Sequence, residues 1–127
     1  MKAPEIILTE RFRLRPPKMG DAEAIFSQYA QDPEVTKYLT WRPSRTIEET
    51  RVHLQTCAVA WEEGKSFQWV ITGKEDDQLL GTVGVRVDGF KVELGYVMAR
   101  RYWGRGYMTE AVRAVMHWAL NEDEVYR

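Results

Sequence analysis

After Gly64 the apolar residues of this chain change their spacing, and that change limits the possible folds more than any other feature. Phe67 to Thr72, Leu79 to Val87 and Val92 to Val97 are three runs rich in β-branched and aromatic residues, the composition of pleated, half-buried strands. The links between them are short. Lys74-Glu75-Asp76-Asp77 makes the first turn, and Asp88-Gly89 is a two-residue hairpin signal for the second. Such links join antiparallel neighbours, so the three runs predict an antiparallel meander and not the start of a βαβ unit.

The rest of the chain reads as helices and one more strand. From Ile6 to Arg15 the sequence ends in Arg11-Phe12-Arg13-Leu14-Arg15, a half-buried strand with Phe12 and Leu14 on one face and three arginines on the other. Pro16-Pro17 stops it. Asp21 then caps a helix whose apolar side is Ala22, Ile25, Phe26 and Tyr29. Asp32-Pro33-Glu34 starts a short helix running to about Leu39, and Trp41 to Arg45 is loop-like. Thr46 with Glu49 makes a capping box for a longer helix ending near Gly64, with Ile47, Leu54, Ala58 and Trp61 on its apolar side. A last helix opens around Gly104 and carries Met108, Ala111, Val112, Val115, Met116 and Ala119 at helical spacing. Val125 and Tyr126 begin a further strand.

Bulk properties narrow the functional classes. A chain of 127 residues suits one domain, residues 1–127, with its own core. Its 44% hydrophobic and 29% charged residues lack the bias that marks disorder. A net charge of -1 gives no global attraction to nucleic acid or to an anionic membrane, so neither is an expected partner and any anion site is local. The single cysteine, Cys57, excludes an internal disulfide and suits a reducing compartment, hence a cytoplasmic location. The N-terminus lacks the apolar stretch of a signal peptide. His53 and His117 stand on helices without a second ligand at metal spacing, so no metal is expected.

The stretch from Leu94 to Ala111 runs strand, tight loop, helix. A glycine-containing loop entering a helix leaves main-chain N–H groups without intrahelical acceptors, and the helix dipole adds positive potential there. Such a place binds phosphate. Gly104 and Gly106 have no Cβ, so a bulky anion can approach the main chain, and Arg100, Arg101 and Arg105 add charge around it. The bland alternative is a strand-to-helix turn with solvated arginines. There is no Gly-Lys-Ser/Thr, and Thr109 stands where a dinucleotide fold wants a small residue.

Arg101-Tyr102-Trp103-Gly104-Arg105-Gly106 resembles the Gln/Arg-x-x-Gly-x-Gly/Ala signature of the GNAT superfamily of N-acetyltransferases. The flanks Glu93-Leu94-Gly95-Tyr96 and Gly106-Tyr107-Met108-Thr109-Glu110-Ala111 look like its ribosomal-protein N-terminus (Rim-like) subgroup. The resemblance covers nearly the whole chain. It implies an α/β (α+β) fold with a mainly antiparallel sheet and flanking helices, and an enzyme that moves an acetyl group from acetyl-coenzyme A directly to an amine. It also implies that the family's C-terminal strands and helix are missing.

By that resemblance the pyrophosphate contacts fall on Arg101, Trp103, Gly104, Arg105 and Gly106, and the pantetheine strand on Tyr96, Val97 and Met98. Acetyl transfer needs a base for the amine proton and polarisation of the thioester carbonyl. Glu93 matches the family's strand carboxylate and is the candidate base, its rival reading being a solvated or salt-bridged surface residue. Glu110 serves the helix dipole or a local arginine. Cys57 lacks neighbouring positive charge and is not expected to carry the acetyl group. Trp41 and Arg42 resemble the acceptor-facing region, with ordinary packing as the alternative. The Glu93–Val97 strand would expose an unpaired edge that invites homodimerisation or swapping unless Val125-Tyr126 covers it. The rival functional class is a catalytically incomplete coenzyme A binding or assembly module; a general phosphate-binding protein is a third.

Overall fold

Period-two alternation along the β-rich segments builds a sheet with two apolar faces, and each face collects its own helices. In the computed structural model, residues 3–30, 32, 33, 46–88 and 91–120 are described. The strands are β1 (Ile7–Leu8), β2 (Phe12–Arg15), β3 (Ser66–Gly73), β4 (Leu79–Asp88) and β5 (Lys91–Met98). The helices are α1 (Ala22–Ile25), α2 (Ile47–Glu62) and α3 (Tyr107–Leu120), with 3-10 turns at Met19–Asp21 and Arg100–Tyr102. The strands lie in chain order, β1-β2-β3-β4-β5, every neighbour antiparallel. The expected meander is present.

One face of the sheet carries Phe12, Leu14, Phe67, Trp69, Ile71, Val83 and Val85, all buried, and α3 covers it with Ala111 and Val115. Trp61 and Trp118 meet Phe67 and Trp69 edge-on, at centroid distances from 5.1 to 5.9 Å, the arrangement that aromatic quadrupoles favour. On the other face Val70 and Leu79 pack with Ala22, Ile25, Tyr29 and Leu54 from α1 and its continuation and from α2. The chain thus buries both faces of β3.

Several expectations change at the N-terminal end. The run from Ile6 to Arg15 is two strands, because the Thr9 N–H and hydroxyl bond back to Phe12 and fold a tight turn that sets Ile7 opposite Leu14. Arg15 is buried, not solvated: its guanidinium donates to both Asp21 oxygens at 2.8 and 2.9 Å. Asp21 therefore does not cap α1 with its side chain; it accepts from Arg15 and from the Lys18 N–H at 2.8 Å. Beyond Ile25 the chain widens into a π-helix, Phe26–Ala30, which turns Tyr29 into the core with its hydroxyl on Thr82.

In α2 the Thr46 hydroxyl accepts from the Glu49 N–H at 3.3 Å, the expected cap. Ala58, however, is exposed; the buried stripe is Thr50 and Leu54, because only a narrow strip of the helix rests on β3. α3 starts at Tyr107 and not at Gly104, since positive φ at Gly104 and Gly106 takes the chain out of helical geometry. The expected helix from Asp32 to Leu39 lies mostly outside the described residues, as do Trp41 to Arg45, Gly89 and the strand expected at Val125 and Tyr126. Among the described residues no helix is long and apolar enough to cross a membrane.

The start of α3 is tied to the β1–β2 turn through Glu110, which accepts from the Thr9 hydroxyl (2.5 Å), the Arg11 N–H (2.8 Å) and Arg11 Nε (2.6 Å). Glu110 thus serves a local arginine, one of its two expected roles. Desolvation alone would raise its pKa, but these hydrogen bonds and the Arg11 charge outweigh it and hold the carboxylate below its ordinary value. A group so depressed stabilises the fold above its unfolded pKa, about 4.3, and that contribution disappears as pH falls through the folded value. Thermal melts between pH 6 and pH 3 should therefore show Glu110→Gln less stable than wild type at pH 6, with the gap closing in acid. A gap independent of pH would refute this account.

Candidate functional site

β5 ends the sheet among the described residues, so one side of it carries no neighbouring strand. The Ala99 N–H donates to the Leu80 carbonyl at 3.0 Å, and β4 and β5 keep an unbroken register from Gly81 opposite Met98 to Asp88 opposite Lys91. Main-chain groups in an antiparallel pair turn alternately toward and away from the partner. The Ala99 bond therefore commits Val97, Gly95 and Glu93 to β4 and leaves the polar groups of Met98, Tyr96 and Leu94 on the free edge. Of the three residues expected to form the pantetheine strand, Tyr96 and Met98 present main-chain groups there, and Val97 does not.

After Met98 the 3-10 turn leads into the glycine loop, where Gly104 has φ 75° and Gly106 φ 76°. These left-handed values favour glycine. A Cβ placed at either residue would meet nothing within 4 Å, so packing does not demand glycine at these positions. Among the described residues the N–H groups of Gly104, Arg105 and Gly106 donate to no acceptor. The Gly106 carbonyl accepts from the Glu110 N–H at 3.2 Å, which leaves Tyr107, Met108 and Thr109 as the first turn, without intrahelical acceptors for their N–H groups. Unpaired donors and the helix dipole coincide.

A groove of about 640 Å³ joins the two features, lined by Leu94 to Met98, Tyr102 to Gly104 and Gly106 to Thr109. That volume suits a small-molecule ligand. Tyr96, Val97, Met98, Trp103, Gly104 and Gly106 come together there as the sequence leads one to expect. Leu94, Gly95, Tyr102, Tyr107, Met108 and Thr109 join them, and the signal for the last three was their place in the first turn of a helix entered from a glycine loop.

The arginines behave differently from expectation. Arg100 forms a two-pronged pair with Asp32, at 2.9 Å for both bonds. Arg101 donates to Gln28 Oε1 at 2.7 Å and lies 4.9 Å above the Tyr102 ring, outside the groove lining. Arg101 ties the turn to the π-helical segment, and Arg100 ties it to Asp32 just beyond. Arg105 is exposed and also outside the lining.

Glu93 is exposed and projects from the opposite face of β5, directly across from Arg86 on β4. Beside it, Gly95 is exposed with nothing within 4 Å of a notional Cβ, so the sheet surface next to Glu93 carries no side chain there. Cys57 bonds to Gln68 Oε1 at 3.2 Å, and burial pushes its thiol up to about 11, which keeps it protonated at neutral pH. Trp41 and Arg42 lie outside the described residues. No three His, Cys, Asp or Glu side chains among the described residues stand close enough to hold a metal ion.

Comparison with known proteins yields one consistent group. The model of the acetyltransferase (GNAT) domain matches residues 11–127. The chain is 33% identical over 119 residues to the uncharacterized N-acetyltransferase p20 of Bacillus licheniformis, covering 91% of this chain and 66% of that protein. This chain therefore spans just under two thirds of the length of p20. Among solved structures, the RimL ribosomal alpha-N-protein acetyltransferase in complex with coenzyme A superposes with a TM-score of 0.84 at 20% identity, over 95% of this chain and 71% of that one. A GNAT-family acetyltransferase from Bacillus anthracis gives 0.82 at 24% identity, over 95% and 69%. These likenesses establish a shared fold.

Proposed function

This chain belongs to the acetyltransferase (GNAT) family, and from that premise we propose that it moves an acetyl group from acetyl-coenzyme A directly to an amine. The observation that carries the reading is the continuity of the groove. A free strand edge suits the amide-bearing pantetheine arm, and the unpaired N–H groups from Gly104 to Thr109 suit the diphosphate. One ligand has both parts in that order. The arm would compete for the β5 edge with a second copy of the chain, so occupancy opposes edge-to-edge dimers.

The chemistry is addition of a neutral amine to the thioester carbonyl, followed by loss of the thiolate. A main-chain N–H on the free edge, from Leu94 or Tyr96, is placed to stabilise the oxygen as it gains charge. Glu93 takes the amine proton, directly or through a water, from the face of the sheet opposite α3. The protonated, half-buried Cys57 takes no part, so transfer needs no covalent enzyme intermediate. The acceptor is a protein or peptide N-terminus or a small amine, and Trp41 and Arg42, outside the described residues, are assigned to it by the family resemblance alone.

Thiol release from acetyl-coenzyme A with a panel of amines, measured beside calorimetry, tests the reading. Turnover is expected, and Glu93→Gln should lower kcat by about 10²- to 10⁴-fold, the usual worth of a general base, with coenzyme A affinity retained. Binding without turnover on any amine would overturn the transferase reading in favour of a coenzyme A binding module. An active Glu93→Gln enzyme would remove Glu93 from the mechanism.

A further inference from the structure

We propose that Trp103 is a positioning residue: its indole N–H, bonded to the Met98 carbonyl, holds the free edge of β5 and the glycine loop at the spacing that one continuous ligand needs. The inference rests on the coenzyme A reading above. The bond is short and direct, 2.7 Å from Nε1 to the carbonyl oxygen. Burial does not account for the ring's placement, because Trp103 is 50% exposed, whereas Met98 is 5% exposed. Something other than apolar packing keeps a large ring at the mouth of the groove.

The bond spans the turn between the two halves of the site. Within that turn the Tyr102 and Trp103 N–H groups bond back to Ala99 (3.0 Å) and Arg100 (3.1 Å), and at Gly104 the chain enters its left-handed loop. The indole closes this segment into a ring against the strand end. Two consequences follow from the geometry. The indole occupies one lone pair of the Met98 carbonyl, so a ligand pairing with the end of the edge meets that carbonyl already engaged. The N–H groups of the loop sit at a set distance beyond this strand end.

A ligand bridging both halves gains from their spacing as a tethered pair gains from matched reach. A fragment that fills one half does not. Trp103→Phe keeps an aromatic ring and deletes the donor, so NMR titrations of coenzyme A, pantetheine and inorganic pyrophosphate separate the roles. Coenzyme A should bind at least about tenfold more weakly to the variant, with each fragment within twofold of its wild-type affinity. Equal losses for coenzyme A and a fragment would make Trp103 an ordinary contact and overturn the proposal, as would unchanged coenzyme A affinity.

A second measurement needs no variant. In the wild-type protein the Trp103 indole proton should exchange with solvent at least about tenfold more slowly than a free indole, despite the exposed ring; exchange at the free rate would overturn the bond itself. Wild-type protein that binds pyrophosphate and pantetheine but not coenzyme A would also count against the spacing. Failure to bind any of the three would instead overturn the coenzyme A reading on which this inference rests.

Discussion

Valine at Gly106 is expected to weaken coenzyme A binding by at least about a hundredfold, with a much smaller effect on folding. The two effects separate because a Cβ at Gly106 would touch nothing in the protein within 4 Å. Stability is lost only through the backbone, which holds φ at 76°, a value costing a residue with a side chain about 1–2 kcal/mol and a β-branched one somewhat more. At roughly 4 °C per kcal/mol for a chain of this size, Tm should fall by less than about 10 °C. Binding suffers twice. The side chain fills space that the diphosphate would occupy, and relief of the strain turns loop N–H groups away from it. Hydrogen bonds to a charged partner contribute about 1.5–3 kcal/mol each, so losing two exceeds the roughly 2.7 kcal/mol that corresponds to a hundredfold. Calorimetry with coenzyme A, beside a thermal melt, measures both quantities; an unchanged Kd would remove the loop from the binding site.

The second large effect is on stability. Arg15→Ala should cost about 3–5 kcal/mol, the usual result of stranding one member of a buried ion pair, and lower Tm by about 10–20 °C. Arg15 and Asp21 are 8% and 6% exposed, and the guanidinium meets the carboxylate through two parallel bonds while Nε reaches Asp77 at 3.2 Å. Those contacts, led by the hydrogen bond to Asp21, hold the arginine pKa above its ordinary value against the opposing effect of burial. Removing the arginine leaves Asp21 buried with, among the described residues, only the Lys18 N–H for compensation. Replacing both partners with apolar residues of similar size, Arg15→Met with Asp21→Leu, should recover much of the loss. Denaturant titration of the three variants decides the matter, and a single-variant cost under about 1 kcal/mol would show that the pair is not a buried unit.

The same pair bears on the site. It anchors the segment leading into α1, whose π-helical continuation presents Gln28 to both the Leu79 carbonyl (3.1 Å) and Arg101 (2.7 Å). Asp32, just beyond, holds Arg100. Two of the three arginines around the glycine loop are therefore used to fasten it to the opposite side of the sheet. Main-chain N–H groups and the α3 dipole add positive potential in the groove that no surface lysine or arginine substitution would remove.

Much of this was legible along the chain because its causes are local. Alternating β-branched residues from Phe67 to Val97, the short turns between them and the apolar spacing of α3 each act over a few neighbours. The three main-chain expectations they support, meander, glycine loop and terminal helix, hold. The capping threonine at residue 46 and the glycines at 104 and 106 were equally readable, since a cap or a left-handed φ belongs to the residue itself.

What folds against what was not local. Arg15 reads as a solvated residue until the Met19–Asp21 turn closes over it, and Arg101 as a phosphate ligand until Gln28 arrives from 73 positions away. Among the described residues, the main-chain groups of Leu94, Tyr96 and Met98 lack a strand partner because strand pairing spends those of Val97, Gly95 and Glu93, and the Trp103 indole claims the Met98 carbonyl only once the turn has formed. Backbone conformation and amphipathic pattern are properties of adjacent residues and can be read from them; the partner of a charge or of an edge carbonyl is whichever group the folded chain brings within about 3 Å, and only the tertiary structure decides that.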